Sequence, residues 1–303
     1  MSKHSLAKLI VFVFLTGAAS ADAIKYTYDA AQRLTRVEYG NGVTIVYAYD
    51  KASNLLSRVV TAAGARPSFT SASVVNAASF KGGAIAPGEM VTIFGTGIGP
   101  ATLAGFQIAN NLVSGSVAGT RFLFDGNPAP IIYVSATQST VMVPYSVAGK
   151  TTTQVVAECQ GVQSAPVTLD VVDAAPGLYT ITQNGAGPAA IVNQDGSINS
   201  ASSPAPKGSV VLLFLTGDGQ TNPPGVDGKL AVEALPRTVA PVTVMIGGVQ
   251  AEVAYAGVAP QSIAGFSQFN VIVPAAATSG SAVPLVVRVG TASSPAGVTI
   301  AIQ

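Results

Sequence analysis

The same succession of segments occurs twice between residues 70 and 303, and this duplication limits the possible folds more than any single motif does. Four stations keep their order at offsets of 120 to 130 residues: 86–97 with 206–217, 124–129 with 246–251, 141–144 with 271–274, and 163–171 with 293–301. The changes in offset place the insertions within loops. Chance rarely preserves four stations in order, so we infer a duplicated domain.

Each copy has the residue pattern of a β-protein. Short runs rich in Val, Ile, Thr, Phe and Tyr alternate with clusters of Gly, Pro, Asn, Asp and Ser. The runs recur about every ten residues, a spacing typical of sandwiches and barrels. Helical periodicity is missing, and 49% of the chain is hydrophobic, which is enough for a core. The sequence therefore predicts an all-β fold.

A shorter repeat lies in residues 24–61. Residues 26–29 and 33–34 (Tyr-Thr-Tyr-Asp, Arg-Leu) recur with a period of 21 at 47–50 and 54–55 (Tyr-Ala-Tyr-Asp, Asn-Leu). Between the copies, Asn41-Gly42 predicts a type I′ turn joining strands over 34–39 and 43–49. Strand alternation places four side chains on one face: Val43, Ile45, Tyr47 and Tyr49. We predict a small β-hairpin segment here.

This short pattern resembles the YD repeat of Rhs and teneurin-type proteins. It departs from the family at one position, because the Gly usually found before Arg-Leu or Asn-Leu is Gln32 in the first copy and Ser53 in the second. The family's shells need many repeats, and this chain carries about one and a half. The resemblance therefore implies a remnant or small module that cannot enclose a cargo.

The duplicated region resembles the IPT/TIG immunoglobulin-like fold. The matching motifs are Val-Thr-Ile-Phe-Gly-Thr-Gly at 91–97, Asp-Gly-Asn-Pro-Ala-Pro at 125–130 and Val-Met-Val-Pro at 141–144. With the opening Val-Val-Asn-Ala-Ala-Ser-Phe at 74–80, the two-copy unit also resembles the Solibacter-type uncharacterised C-terminal domain family. These resemblances imply two tandem immunoglobulin-like β-sandwiches over roughly residues 70–303, and they assign no activity.

The expected domain boundaries follow from these segments. We predict a signal peptide over 1–23, the YD hairpin segment over 24–61, a linker over 62–69, a first immunoglobulin-like domain over 70–173 and a second over 174–303. The first segment has the basic start, short apolar stretch and small-x-small cleavage options of an exported protein. Its apolar stretch is too short to span a bilayer comfortably, and we predict no transmembrane span in the mature chain.

The charge pattern narrows the class of partner. Only 10% of residues are charged, and loss of Lys3 and Lys8 with residues 1–21 moves the formal net charge from +1 to −1. A sparse, nearly neutral surface gives no electrostatic footprint for nucleic acid or for anionic membrane. The expected partner is an extracellular protein or a glycan.

Residues able to carry chemistry are few. The lone histidine, His4, lies in the predicted signal, so the mature chain can build no Ser-His-Asp triad and no His-ligated zinc site. Cys159, the single cysteine, shares a predicted strand face with Val155 and Ala157, which favours a small core residue. The Gly-rich segment 95–99 lacks the following helix that a dinucleotide loop needs. We therefore predict no catalytic or cofactor-binding residues.

One loop could supply oxygen ligands. Residues 193–199 place Asn193, Asp195, Ser197 and Asn199 at alternate positions, and extracellular modules often bind calcium in such loops. Against calcium, Gly196 is early for an EF-hand loop and no Glu closes the set. Asn, Asp and Gly also form tight turns without metal. We expect no cofactor, with these four residues as the candidate calcium ligands.

The sequence thus favours a non-catalytic, secreted or cell-surface bacterial protein with a structural or adhesive role. The alternative is a carbohydrate-binding accessory module for extracellular polysaccharide, although the chain has no Trp and five of its nine tyrosines lie in the YD segment. A third class, an enzyme using carboxylates alone, would need two acids facing each other across a cleft.

Overall fold

The computed structural model describes residues 24–39, 43–61, 66–232 and 235–303, and the chain divides between residues 64 and 65 into two compact units. Within the described residues every regular element is a strand, apart from a 3₁₀ turn at Tyr145–Val147. The predicted all-β fold is confirmed. The predicted signal peptide and Asn41-Gly42 lie outside the described residues.

The first unit is a four-stranded antiparallel sheet in sequence order: β1 (Lys25–Tyr28), β2 (Leu34–Glu38), β3 (Thr44–Tyr49) and β4 (Leu55–Thr61). The expected pairing of β2 with β3 is present, with Val37 opposite Ile45. Both of these side chains are buried. The segment is wider than the predicted hairpin, because each half of the 21-residue repeat forms a hairpin of its own.

The first copy of the duplicated region forms two facing five-stranded sheets and a separate two-stranded hairpin. Its strands are β5 (Ser68–Asn76), β6 (Met90–Thr96), β7 (Ala104–Gly105), β8 (Ile108–Ala109), β9 (Leu112–Val113), β10 (Thr120–Phe124), β11 (Asn127–Pro128), β12 (Ile131–Val134), β13 (Gln138–Met142), β14 (Thr152–Cys159), β15 (Val162–Gln163) and β16 (Val167–Asp170). One sheet has the order β5-β6-β13-β12-β7. The other has the order β11-β10-β14-β15, and β16 also pairs with β14. Because β5 begins at Ser68, the last two residues of the predicted linker are strand residues.

The second copy is one long sheet that folds over on itself. Its strands are β17 (Gly177–Leu178), β18 (Gly187–Pro188), β19 (Ile191–Asn193), β20 (Val210–Thr216), β21 (Thr221–Asn222), β22 (Arg237–Thr238), β23 (Val242–Ile246), β24 (Val249–Val258), β25 (Ser267–Ile272), β26 (Gly280–Val289), β27 (Ala292–Ser293) and β28 (Val298–Ile302). The main path runs β17-β20-β25-β24-β23-β26-β28-β18.

The register of strand pairing shows the duplication directly. Val91 lies opposite Val141 in the first copy, and their counterparts Val211 and Val271 lie opposite each other in the second. The facing layer repeats the same correspondence, with Phe124 opposite Val155 and Ile246 opposite Leu285. A serine is duplicated with its role: Ser164 Oγ accepts from Ala157 N at 3.0 Å, and Ser294 Oγ accepts from Val287 N at 3.0 Å.

A proline explains the main difference between the copies. In the second copy β24 continues from one layer into the other, with a bulge between Val253 and Tyr255. In the first copy the equivalent stretch is split into β11 and β12, and Pro130 lies in the gap. Proline has no backbone N–H to donate to a neighbouring strand, so pairing is interrupted there. Glu252 stands at the corresponding position of the second copy.

Each copy has its own hydrophobic core between its layers. In the first, Val91, Ile93, Phe122 and Phe124 are fully buried, and in the second, Leu213, Phe269, Ile246 and Leu285 are. Burying one such side chain contributes about 1.5–3 kcal/mol. A third cluster contains residues of both copies: Met90, Val113, Met142, Tyr145, Ile263 and Ala264. The copies therefore pack against each other, as the short join at 172–179 predicts.

Candidate functional site

A buried polar cluster lies where the two copies meet. Asn76, at the end of β5, donates from Nδ2 to Oε1 of Glu89 at 2.8 Å and to the carbonyl of Ala175 at 3.1 Å. Its Oδ1 accepts from the backbone N–H groups of Ala78 and Ser79, both at 2.9 Å. Ala175 belongs to the join between the copies, so one asparagine fixes both a turn of the first copy and the path into the second.

Glu89 is the acid of this cluster, and only 1% of its surface is exposed. Its Oε2 accepts from Ala86 N at 2.7 Å. Burial raises the pKa of the Glu89 carboxyl to about 8, against the lowering effect of its two hydrogen bonds. The Tyr179 hydroxyl lies nearby, and burial together with Glu89 raises its pKa as well. Glu89 is therefore an internal structural acid, remote from solvent.

Thr216, at the end of β20, joins the copies through its hydroxyl. The Oγ1 atom accepts from Met90 N at 2.8 Å and donates to the carbonyl of Gly265 at 2.7 Å. All of these contacts are buried. Thr96 occupies the same station of the first copy, yet its side chain is exposed. The same residue has thus gained a junction role in only one copy.

Backbone hydrogen bonds also cross between the copies. The N–H of Val113 in β9 donates to Gly228 O at 2.9 Å, and the N–H of Leu230 donates to Asn111 O at 2.9 Å. On the other side of the 228–231 segment, the N–H of Ala264 donates to the carbonyl of Lys229, also at 2.9 Å. A segment of the second copy is therefore held like a short strand between a hairpin of the first copy and its own 261–264 loop.

Tyr145 fills the space behind this segment. Its backbone N–H donates to Oδ1 of Asp227 at 2.8 Å. A Cβ added at Gly88 or at Gly225 would collide with the Tyr145 ring, so both glycines allow the ring to pack closely. Burial raises the pKa of Tyr145, and the nearby Asp218 and Asp227 raise it further. The ring is a packing element of the junction.

A second buried acid, Asp218, is held within the second copy. Its Oδ1 accepts from Ser267 Oγ at 2.6 Å, and its Oδ2 accepts from Thr238 Oγ1 at 2.5 Å. Burial raises the pKa of Asp218. Burial also raises the pKa of Asp227, which is only half-buried. Both carboxylates accept hydrogen bonds from protein groups.

A cleft of about 540 Å³ opens beside the crossing segment, and both copies line it. Its described lining residues are mostly aliphatic or proline: Asn110, Asn111, Leu112, Pro223, Pro224, Gly225, Val226, Lys229, Leu230, Ala231, Val232, Pro236, Val258 and Ala264. Asn110 and Asn111 have φ values of 53° and 60°, which form a tight turn between β8 and β9 and put Leu112 at the rim. Leu112 is 43% exposed, and Val226 is 50% exposed.

The chemical groups of this lining are suited mainly to apolar contact. Lys229 is the only ionisable residue among the described lining residues. General acid–base chemistry needs a titratable group placed at the reacting atoms, and covalent catalysis needs a nucleophile with an adjacent base. A largely apolar cleft with a few amide groups instead suits an apolar side chain or an extended segment of a partner.

The four predicted calcium candidates are brought together in one turn, where one side-chain oxygen of each already has a hydrogen-bond partner. Asn193 Oδ1 accepts from Asn199 Nδ2 at 3.0 Å, and Asn199 Oδ1 accepts from Ala301 N at 2.8 Å. Asp195 Oδ1 accepts from Ser197 N at 2.9 Å and from Ser197 Oγ at 2.6 Å. Asn193 and Asn199 are buried. Across the described parts of the chain, no three His, Cys, Asp or Glu side chains form a group that could hold a metal ion.

The other residues singled out in the sequence have structural positions. Gly95 lies so close to Ser68 that an added Cβ would be 2.5 Å from its carbonyl oxygen, and Gly99 has the same relation to Ser135. Cys159 shares a face of β14 with Val155 and Ala157, as predicted. It is only partly buried, however, because it lies at the end of the strand, 3.8 Å from Thr120 Oγ1.

Gln32 and Ser53 explain why YD repeats favour glycine at their position. Their φ values are 59° and 69°, in the left-handed region that side chains rarely adopt. In both copies the preceding Asp holds the turn: Asp29 Oδ1 accepts from Arg33 N at 2.9 Å, and Asp50 Oδ1 accepts from Asn54 N at 2.8 Å. Hydrogen bonds from Arg33 lower the pKa of the Asp29 carboxyl, and hydrogen bonds from Asn54 lower the pKa of the Asp50 carboxyl.

Sequence reasoning missed the junction residues Asn76, Glu89 and Thr216. The segments that contain them are visible as the 74–80 opening and the two copies of the strand β6 motif. Those segments indicate a fold, and nothing in them indicates that an acid in an Ala-Pro-Gly-Glu turn is buried by a second domain. The cleft was missed as well, since its walls come from loops more than 100 residues apart in the chain.

Comparison with known families agrees with the resemblances in the sequence. A family model of the RHS repeat matches residues 26–66, and a model of the IPT/TIG domain matches residues 73–171. No curated protein matches the chain. The described residues contain no helix long and apolar enough to cross a bilayer. The chain thus carries an RHS repeat followed by an immunoglobulin-like IPT/TIG domain.

Proposed function

We propose that this chain is an exported, non-catalytic structural or adhesive module of the cell surface or extracellular space, and that it binds a protein partner in the cleft between its two sandwich copies. The observation that carries the proposal is the apolar cleft, because its walls come from both copies. Backbone hydrogen bonds and Thr216 fix the two copies relative to each other. A fixed cleft loses little conformational freedom on binding.

The chemistry of the cleft favours a protein over a sugar. Leu112, Val226 and Val232 are exposed at its rim, so an apolar side chain of a partner would cover surface that water now contacts. Sugar-binding platforms rely on exposed aromatic rings. No aromatic residue stands among the described lining residues of the cleft, and the chain has no Trp.

The test uses the chain from residue 24 onward with matched variants. Leu112→Asp and Val226→Asp place a charge at the cleft, and Ile198→Asp does so at a residue that is 55% exposed and absent from the lining. Circular dichroism and a thermal melt confirm that each variant is folded. Immobilised proteins then capture partners from the envelope and medium fractions of producing cells, and each captured protein is purified and titrated calorimetrically.

The proposal is supported when a purified protein binds the parent chain and Ile198→Asp alike but loses affinity for both cleft variants. Equal affinity for all variants excludes the cleft. A glycan-array signal that disappears in the cleft variants favours the carbohydrate-binding accessory module instead. Turnover in hydrolase assays that is abolished by replacing one carboxylate overturns the non-catalytic assignment. Recovery of the protein from the cytosol alone contradicts export.

A further inference from the structure

The two hairpins of the first unit are structural copies of each other. In the first, Asp29 Oδ1 accepts from Ala31 N, and in the second, Asp50 Oδ1 accepts from Ala52 N, both at 2.9 Å. Each pair of strands has one bulge, between Thr27 and Tyr28 in the first hairpin and between Ala48 and Tyr49 in the second. These bulges are separated by the same 21 residues as the sequence repeat.

The joint between the hairpins is the pairing of β2 with β3. There Arg36 lies opposite Val46, and Val37 lies opposite Ile45. The Tyr49 hydroxyl crosses the joint and donates to the carbonyl of Leu34 at 3.0 Å. One hairpin therefore presents an edge that the next hairpin of the repeat recognises, through its backbone and through one tyrosine.

Both outer edges of this sheet are open among the described residues. There β1 pairs only with β2, and β4 pairs only with β3. From Leu55 to Val60 every residue of β4 is exposed, and Leu56 reaches 67%. On β1, Tyr26 is 53% exposed, and the hydroxyl of the exposed Tyr28 has no hydrogen-bond partner in the described parts of the chain. Such edges are templates for pairing with another strand.

We propose that β4 of one molecule pairs with β1 of a neighbouring molecule of the same protein, in the antiparallel register by which β2 pairs with β3 within a chain. In the 21-residue repeat β4 is the counterpart of β2, and β1 is the counterpart of β3. The open edge of β4 therefore corresponds to the edge of β2 that pairs with β3. The open edge of β1 corresponds to the edge of β3 that pairs with β2. The occupant that fits is another copy of this sheet.

The repeat fixes the register of the intermolecular pair. Shifting the observed pairs by one period places Ser57 opposite Lys25 of the neighbouring molecule and Arg58 opposite Ile24 of that molecule. One position further, Leu56 lies opposite Tyr26 of the neighbouring molecule, so two exposed apolar side chains cover each other. The Tyr28 hydroxyl of the neighbouring molecule donates to the carbonyl of Leu55, as the Tyr49 hydroxyl donates to the carbonyl of Leu34 within one chain.

Some contacts of the internal joint do not recur, because Arg58 and Ile24 stand where the buried pair Val37 and Ile45 packs in the internal joint. Arg33 Nη1 donates to the carbonyl of Asp50 at 2.9 Å, and Asn54 stands where a second arginine would be needed. The intermolecular joint is therefore weaker than the internal one. Because it joins two different edges, it is head-to-tail and leaves a free edge at each end, so assembly continues into longer chains as concentration rises.

Disulfide trapping tests the register. In a Cys159→Ala background, Ser57→Cys and Lys25→Cys are made as separate proteins from residue 24 onward. Both positions are exposed, and circular dichroism checks that the variants fold. We expect severalfold more disulfide-linked dimer when the two are mixed under mild oxidation than when either is oxidised alone. Sedimentation of the parent chain should show a mass that increases with concentration, and Leu56→Lys should suppress the increase.

Three results overturn the proposal. The first is a parent chain that stays monomeric at every concentration while the mixed cysteine variants give no linked dimer. The second is efficient dimer formation by Ser57→Cys alone, which means that β4 pairs with β4. The third is an association that Leu56→Lys leaves unchanged, while Leu112→Asp at the cleft abolishes it.

Discussion

Asn76 donates a 2.8 Å hydrogen bond to Glu89 at a point where both side chains are buried, and the same amide group reaches the carbonyl of Ala175 in the join to the second copy. An acid of one sandwich is thereby tied to the path of the chain into the next. Removing water from a carboxyl group disfavours its charged form. The stability of the two-copy unit should therefore depend on pH.

The first prediction concerns that pH dependence. Burial raises the pKa of Glu89 from 4.5 to about 8, so between these values the folded state holds a proton that the unfolded state lacks. The free energy of unfolding should consequently fall as pH rises through this window, by at most about 1.4 kcal/mol per pH unit from this group. Urea unfolding of the parent chain and of Glu89→Gln measures it.

Glu89→Gln should lower stability at low pH, where the Glu89 carboxyl is protonated in both states, because an amide cannot accept from both Asn76 and Ala86. It should also flatten the slope as pH rises. Asp218 adds a slope of the same sign, since burial raises its pKa too, and the difference between parent and variant isolates Glu89. Glu252→Gln, at an exposed residue, should change neither quantity. A slope in Glu89→Gln that equals the slope of the parent chain contradicts the assignment.

The second prediction separates the two copies of one threonine. Thr216→Val removes the acceptor of the Met90 N–H and leaves a buried donor unpaired, which should cost about 1–3 kcal/mol. Thr96→Val changes the same station of the first copy at an exposed side chain, so its effect should stay within about 0.5 kcal/mol. Chemical denaturation of both variants tests this. Equal losses would show that Thr216 has no junction role.

The third prediction compares two glycines with nearly the same φ angle. Gly217 and Gly248 have φ values of 82° and 80°, so alanine is strained at either position, by about 1–2 kcal/mol. At Gly217 the new Cβ would also collide with the carbonyl of Ala175, whereas at Gly248 it meets nothing within 4 Å. Gly217→Ala should therefore lose about 1–3 kcal/mol more stability. Similar melting temperatures for the two variants would refute the close approach.

The fourth prediction concerns calcium. The Oδ1 atoms of Asn193, Asp195 and Asn199 already accept hydrogen bonds within the protein. We therefore expect the thermal midpoint to stay unchanged at millimolar calcium, whereas a clear rise would restore the calcium hypothesis. Asn199→Ala should destabilise the protein with or without calcium, since it removes the partners of Asn193 and of the Ala301 N–H, and Ile198→Ala next to it serves as the control.

The sequence predicted the fold closely, because strand register follows from repeated local patterns. The correspondence of the Val91–Val141 pair with the Val211–Val271 pair is implied by the two Val-x-Val-Pro stations and their shared turns. The second hairpin of the first unit was underestimated, although the repeated Tyr-x-Tyr-Asp motif marks it. Its side chains are largely exposed, so hydrophobic patterning gives β4 a weak signal.

The junction could not be predicted in the same way. Thr-Gly occurs at 96–97 and at 216–217, yet Thr96 is exposed and Thr216 is buried against Met90. The difference depends on which faces of the two copies pack against each other, and the residue pattern within one copy does not indicate those faces. The cleft depends on the same docking, since Asn111 meets Leu230 only once the copies are packed. Residues of a shared surface are therefore the least accessible to a reading of either copy alone.

The carbonyl of Ala175 accepts from Asn76 and lies against Gly217, so the connection between the copies is an internal part of the structure. A gene that arose by doubling one module would at first have encoded two interchangeable halves. Because the connection encloses Asn76 and Glu89, recombination at this point would separate the buried Glu89 carboxyl from the residues of the second copy that shield it from solvent. The halves are consequently expected to be inherited, and to be expressed in the laboratory, only as a pair.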